Sequence, residues 1–157
     1  MIQNSIDQLT TKHDYERYTI EAFWEEFVEL LQTMTQDTLH AKLNEENSTS
    51  DYATWYCRVL TAAHLKADPD RFIHYLEYPD VVDFCTREVE PMGKECGMVQ
   101  VLALAEVLQV NVVIEYLDGR ELLEGNKKLQ QHSFGPEESK TKVTLLYRPG
   151  HYDILYR

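Results

Sequence analysis

Apolar residues recur at helical spacing over the first two thirds of the chain and at strand spacing near its end. Ile20, Phe23, Trp24, Phe27, Leu30, Leu31 and Met34 share one face of a helix expected from about Ile20 to Met34, with Thr19 as its N-cap. Three aromatics on one stripe have to pack on something large. A short helix is expected over Asp37 to Leu43, and a polar loop over Asn44 to Thr49. Ser50 or Asp51 then caps a helix reaching about Lys66, with Tyr52, Trp55, Tyr56, Val59, Leu60, Ala63 and Leu65 along it. Pro69 stops it, because the residue before a proline disfavours helical geometry. Phe72 to Leu76 reads as a further short helix. Pro79 suits the first turn of the next, through Val81, Val82, Phe84 and Cys85, and Pro91 ends that segment. Gly97 precedes a strongly apolar helix, Met98 to Leu108.

The pattern then changes. Val110 to Tyr116 is a β-branched run that reads as a buried strand. Asp118-Gly119 marks a turn, and the polar segment from Arg120 to Thr141, with Gly125, Asn126, Gly135 and Pro136, reads as a long loop. Val143 to Arg148 and Tyr152 to Tyr156 are two more strands. Helices packed on a small sheet make an α/β (α+β) domain over residues 19–157, with residues 1–18 a polar lead-in or the tail of a helix begun elsewhere. Three strands are few for this many helices. The Phe23/Trp24/Phe27 face and the Val110 to Tyr116 strand are therefore expected to want a partner absent from the sequence, leaving an apolar patch and an open strand edge.

Composition narrows the function classes. The formal net charge is −12, so nucleic acid phosphates repel the chain and no basic stripe offsets that. No apolar run reaches the roughly 18 to 20 residues that span a bilayer, and Met1 to Ser5 does not open a secretory signal. Cys57, Cys85 and Cys96 are an odd set without metal-ligand spacing, which suits reduced thiols in the cytoplasm, with the nucleus as an alternative.

The candidate chemistry lies in Arg148-Pro149-Gly150-His151-Tyr152-Asp153-Ile154-Leu155-Tyr156. On a strand, His151 and Asp153 share a face, with backbones roughly 6.5 Å apart. A carboxylate there orients an imidazole and stabilises its protonated form, the base-plus-orienter pair of a nucleophilic hydrolase. A bare His-x-Asp is a weak signal, and a surface ion pair is its ordinary meaning. Pro149-Gly150 fits the centre of a type II turn and leaves room beside His151. A metal site lacks a third ligand at recognisable spacing.

The surroundings make the signal specific. Tyr18-Thr19-Ile20-Glu21-Ala22-Phe23, Ser48-Thr49-Ser50-Asp51-Tyr52, Cys85, Glu88-Val89-Glu90-Pro91-Met92, Ala103-Leu104-Ala105, Leu145-Leu146-Tyr147-Arg148-Pro149-Gly150 and His151 to Tyr156 follow one another as they do in the otubains. These are deubiquitinating cysteine peptidases of the ovarian-tumour superfamily, and the chain resembles them over about residues 18–157. The resemblance implies a papain-like cysteine peptidase fold of which this chain is the C-terminal portion. It implies His151 as general base, Asp153 as its orienter, cleavage of isopeptide bonds after ubiquitin's C-terminal glycine through a cysteine thioester, and no metal or organic cofactor. Implied partners are ubiquitin, polyubiquitin chains and ubiquitin-conjugating enzymes. Glu90, Pro91 and Met92 fall in the region that receives the distal ubiquitin.

The family's nucleophile sits in a Gly-Asp-Gly-Asn-Cys-like motif, and this sequence has none. Cys57 and Cys85 read as packing, since buried cysteine behaves as a small hydrophobe. Cys96 precedes a helix, where a thiol pKa falls, yet it does not occupy the nucleophile position. The sequence thus predicts a deubiquitinase fragment inactive alone. The alternatives are a non-catalytic module that binds ubiquitin or a ubiquitin-conjugating enzyme, and a product without a stable fold.

Overall fold

The computed structural model describes residues 3–12, 15–44, 49–117 and 129–156. The chain divides into two compact units, Met1–Lys94 and Glu95–Arg157.

The first unit is helical. It contains α1 (Gln3–Lys12), α2 (Arg17–Thr33), α3 (Leu39–Asn44), α4 (Thr49–Ala67), α5 (Pro69–Phe72) with a 3₁₀ turn at Ile73–Tyr75, and α6 (Val81–Phe84), which runs on as a π-helical turn over Cys85–Val89. Ile6 and Leu9 of α1 are buried against Ile20 of α2 and Tyr56 and Val59 of α4, with Phe23, Trp24 and Phe27 packed on that cluster. The aromatic stripe is thus partly covered within the chain, by α4 and α1. Residues 3–12 form a helix because Ile6 and Leu9 recur at helical spacing, a short amphipathic signal that the surrounding polar residues hide.

Three expected helix starts fall elsewhere: α4 begins at Thr49, so Ser50 and Asp51 lie inside it rather than capping it. Helix α2 begins two residues before Thr19, after Glu16, whose φ of −67° and ψ of 120° are extended. Asp80 rather than Pro79 starts α6, because its side chain accepts a hydrogen bond from the Asp83 backbone N–H at 2.7 Å. Pro69 takes the first turn of α5, where its missing N–H costs nothing.

The second unit contains α7 (Met98–Leu108), β1 (Asn111–Tyr116), β2 (Gln130–Phe134), β3 (Lys142–Arg148) and β4 (His151–Leu155). Helix α7 starts where expected: the Gly97 N–H donates to Gln100 Oε1 at 3.1 Å. The sheet order is β2-β1-β3-β4, with β1 and β3 parallel and the other pairs antiparallel. Strand β1 is therefore central, paired on both sides, and the expected open edge is closed. Its cover is β2, which lies inside the expected long loop. Two features fit β2 there. Asn111 Nδ2 donates to Ser133 Oγ at 2.9 Å. Gly135 has φ of +80°, and a Cβ there would stand 2.3 Å from the Val110 carbonyl oxygen. The Asp118-Gly119 turn and the Arg120–128 part of the loop lie outside the described residues, as does most of the Asn44 to Thr49 loop.

Among the described residues no helix is long and apolar enough to cross a membrane, and no cluster of His, Cys, Asp and Glu could hold a metal ion.

Candidate active-site hairpin

Strands β3 and β4 join through Pro149-Gly150 alone. Gly150 has φ of +76°, the positive value that the second central residue of a type II turn requires, and open space where its Cβ would be. This tight turn sets the register: Arg148 pairs with His151, Tyr147 with Tyr152 and Leu146 with Asp153. Because side chains alternate, Arg148, His151 and Asp153 fall on one face of the hairpin and Tyr147 and Tyr152 on the other.

The two faces differ in chemistry. Tyr152 packs on Tyr147 at 5.0 Å between ring centroids, Tyr147 on Tyr116 at 5.3 Å, and Tyr116 on His132 at 5.1 Å, an aromatic row across all four strands. Tyr152 also donates to the Cys96 carbonyl oxygen at 3.4 Å, tying β4 to the segment before α7. Burial, and then the nearby Tyr116, raise the Tyr152 pKa.

On the opposite face, His151 Nε2 lies 3.0 Å from Asp153 Oδ1, and Arg148 Nη2 donates to Asp153 Oδ2 at 2.8 Å. The carboxylate is held at both oxygens. The hydrogen bond from His151 first, and that from Arg148 second, hold its pKa below the usual carboxylate value. With Nε2 turned to Asp153, Nδ1 is the ring nitrogen left to accept a proton. All three side chains are solvent-exposed. Arg148 was legible only through the hairpin register, which places the residue before a two-residue turn opposite the one after it.

The three cysteines separate cleanly. Burial pushes the Cys57 thiol up to about 11 and the Cys85 thiol to about 12, the latter helped by Glu90 and opposed by Lys66. Both lie in the helical unit as packing residues. Cys96 is exposed, just before the Gly97 N-cap of α7, and none of the three is in a disulfide.

Glu90, Pro91 and Met92 follow the π-helical turn, whose last bond runs from the Glu90 N–H to the Cys85 carbonyl at 2.9 Å. Glu90 turns inward. Its Oε1 accepts from Tyr15 Oη at 2.6 Å and pairs with Lys66 Nζ at 2.5 Å. Arg58 donates from Nη1 to the Val89 carbonyl at 2.9 Å and from Nη2 to the Lys94 carbonyl at 2.6 Å, clamping the segment to α4. Pro91 is half-buried. Met92 is exposed and lines an open groove of about 500 Å³ with Phe23, Asp51, Tyr52 and Trp55.

Comparison with known proteins adds a second line of observation. The family model described as Peptidase C65 Otubain matches residues 1–157. The chain is 41% identical over 148 residues to the human protein "Ubiquitin thioesterase OTUB1", covering 91% of this chain and 52% of that protein. It is 34% identical over 161 residues to the Arabidopsis thaliana "OVARIAN TUMOR DOMAIN-containing deubiquitinating enzyme 1", covering 90% of this chain and 53% of that protein. The chain thus spans about half the length of these relatives. Among solved structures, the ceOTUB1 chain in a complex with ubiquitin aldehyde and UBC13~Ub superposes with a TM-score of 0.83 at 25% identity, covering 99% of this chain and 64% of that one. The OTU domain of OTUD1 superposes with a TM-score of 0.54 over 74% of this chain.

Proposed function

The chain belongs to the otubain family of peptidases, family C65, and we propose that its hairpin supplies the base and orienter for thiol-dependent hydrolysis of ubiquitin isopeptide bonds. The observation that carries this reading is the 3.0 Å contact between His151 Nε2 and Asp153 Oδ1 on an exposed hairpin face. In the reaction, His151 Nδ1 takes the proton from a cysteine thiol, and the thiolate attacks the carbonyl carbon of the glycyl isopeptide bond. The C–N bond breaks, the leaving lysine amine takes the proton back from the imidazolium, and a thioester remains. His151 then deprotonates the water that hydrolyses it. Asp153 orients the ring and stabilises the imidazolium at each stage.

The sequence carries no Gly-Asp-Gly-Asn-Cys motif, so in this reading the chain alone forms no thioester. Two measurements test it. A ubiquitin probe with a C-terminal electrophile should leave the chain unmodified, and a covalent adduct at Cys96 would overturn that. Fused behind an otubain segment bearing the motif, the chain should be labelled, and His151→Ala should slow labelling by about 100-fold or more. Equal labelling of the variant sinks the assignment of the base.

One observation favours a second reading, a module that binds ubiquitin or a ubiquitin-conjugating enzyme without catalysis. The groove of Phe23, Tyr52, Trp55 and Met92 exposes aromatic and thioether surface beside the Asp51 carboxylate, the composition of a protein-recognition anchor site. Ubiquitin binding that survives His151→Ala and is lost in Trp55→Ala supports it. The reverse pattern removes it.

A further inference from the structure

Arg148 belongs to no catalytic pair named so far, yet it makes the second contact to Asp153. It ends β3 directly opposite His151 in the antiparallel ladder, and its guanidinium reaches diagonally to Asp153 Oδ2 at 2.8 Å while Oδ1 faces His151 Nε2 at 3.0 Å. An exposed aspartate on an edge strand ordinarily samples several χ1 rotamers, and a single ion pair there holds little. Two donors on the two oxygens of one carboxylate leave a single orientation that satisfies both.

We propose that Arg148 is a positioning residue. By holding Oδ2 it fixes the Asp153 carboxylate so that Oδ1 stays on His151 Nε2–H, which keeps Nδ1 as the basic nitrogen. The proposal rests on the reading of His151 as general base, but its mechanical content is independent of catalysis. Among the described residues, the opposite face of the hairpin carries Tyr147 and Tyr152, with Tyr116, Cys96 and Glu95 acting on Tyr152. Arg148 is the cation in contact with the carboxylate. Its charge also favours the ionised form of Asp153, the form that can accept the imidazole N–H.

Nuclear magnetic resonance on the full chain tests this without any enzymatic assay. The ring nitrogens of His151 are assigned among the six histidines by loss of signal in His151→Gln. In the unmodified chain, the three-bond couplings of Asp153 should report one χ1 rotamer, and the neutral His151 ring should be almost wholly in the Nε2–H tautomer. In Arg148→Met the couplings should average, the tautomer ratio should move toward that of an unconstrained histidine side chain, and the Asp153 titration midpoint should rise. Arg148→Lys, which keeps a charged donor, should restore most of each signal.

A merely structural role for Arg148 would shift the unfolding temperature and leave the couplings and tautomer unchanged. That result in Arg148→Met, with a folded spectrum, overturns the proposal. Should the methionine variant fail to fold, Arg148→Gln gives the same reading, because its shorter, uncharged amide does not reach Asp153 Oδ2 as the guanidinium does. Averaging supports positioning by Arg148, and unchanged couplings overturn it. Probe labelling separately decides whether His151 is the base, so failure of one reading does not disguise failure of the other.

Discussion

The chain builds the same small device twice, once half-buried and once exposed. In the helical unit a carboxylate, Glu90, sits between a cation, Lys66, and a second donor, Tyr15. In the sheet unit a carboxylate, Asp153, sits between a cation, Arg148, and a second donor, His151. Side chains of the first ion pair are 17% and 26% exposed, while those of Arg148, His151 and Asp153 are 50%, 58% and 44% exposed. Burial makes the first triad an architectural element. It anchors the turn after the π-helix to α4, and it raises the Tyr15 pKa, through burial first and the Glu90 hydrogen bond second, so that the phenol stays neutral. Exposure leaves the second triad little to do for stability and leaves it open to solvent. Alike in inventory, the two differ in what a substitution should cost.

The largest expected effect lies in the buried triad. Glu90→Ala leaves a partly buried ammonium without its counter-ion and should cost about 2 to 4 kcal/mol in urea unfolding. Asp153→Ala should leave the unfolding midpoint where it is. Equal losses from both variants would mean that burial is not what separates the triads.

Next in size is the response to alkali and to alkylation. The Cys57 and Cys85 thiols are raised to about 11 and about 12 by burial. A raised pKa stabilises the protonated form. The stability it contributes is complete below the unfolded thiol's value, about 8.5, and is lost as pH climbs through the folded values. Tyr15 adds a loss of the same sign once an unfolded phenol ionises, above about pH 10. Stability should therefore fall steeply from pH 9 upward, and Tyr15→Phe should flatten the upper part of the curve. At neutral pH iodoacetamide should modify exposed Cys96 at least about 100-fold faster than buried Cys85. Similar rates would show that the helical unit opens freely and that its triad holds nothing.

The acid side inverts the sign. The Asp153 pKa is lowered by His151 first and Arg148 second. Its contacts persist below the usual carboxylate range and are lost as pH falls through the depressed folded value. Chemical shifts of the His151–Asp153 pair should report loss of the carboxylate contact only below about pH 4.

These contrasts also show what the sequence could disclose. Helix α7 and strands β1, β3 and β4 were legible because an apolar period and flanking Gly97 and Pro149-Gly150 agree about where each begins and ends. Strand β2, Gln130–Phe134, was not. Most of its side chains are exposed, so it carries no apolar alternation, and what holds it is the β1 ladder and the close approach at Gly135. With β2 on one side and β3 on the other, β1 is a central strand. At the site, His151 and Asp153 came from strand periodicity and family resemblance. Arg148 required the register, and the inward turn of Glu90 required the packing of α4 against the π-helical turn, which no local pattern encodes. Glu90, Pro91 and Met92 are contiguous in sequence, yet Glu90 faces inward and Met92 faces out.

The smallest effect is the most specific test of how the exposed triad is held. Gly150→Ala forces a β-substituted residue to φ of +76°, with no steric obstacle around the new Cβ, so its cost should be about 1 kcal/mol. The β3–β4 register does not depend on that glycine alone, because Thr144 to Arg148 pair with His151 to Leu155 along the whole ladder. The His151–Asp153 and Arg148–Asp153 contacts should therefore survive in the variant, with Asp153 couplings as in the unmodified chain. Averaged couplings in Gly150→Ala, at unchanged global fold, would show that the turn, not the ladder, aims the triad. The exposed device would then rest on one backbone conformation, where the buried one rests on a packed core.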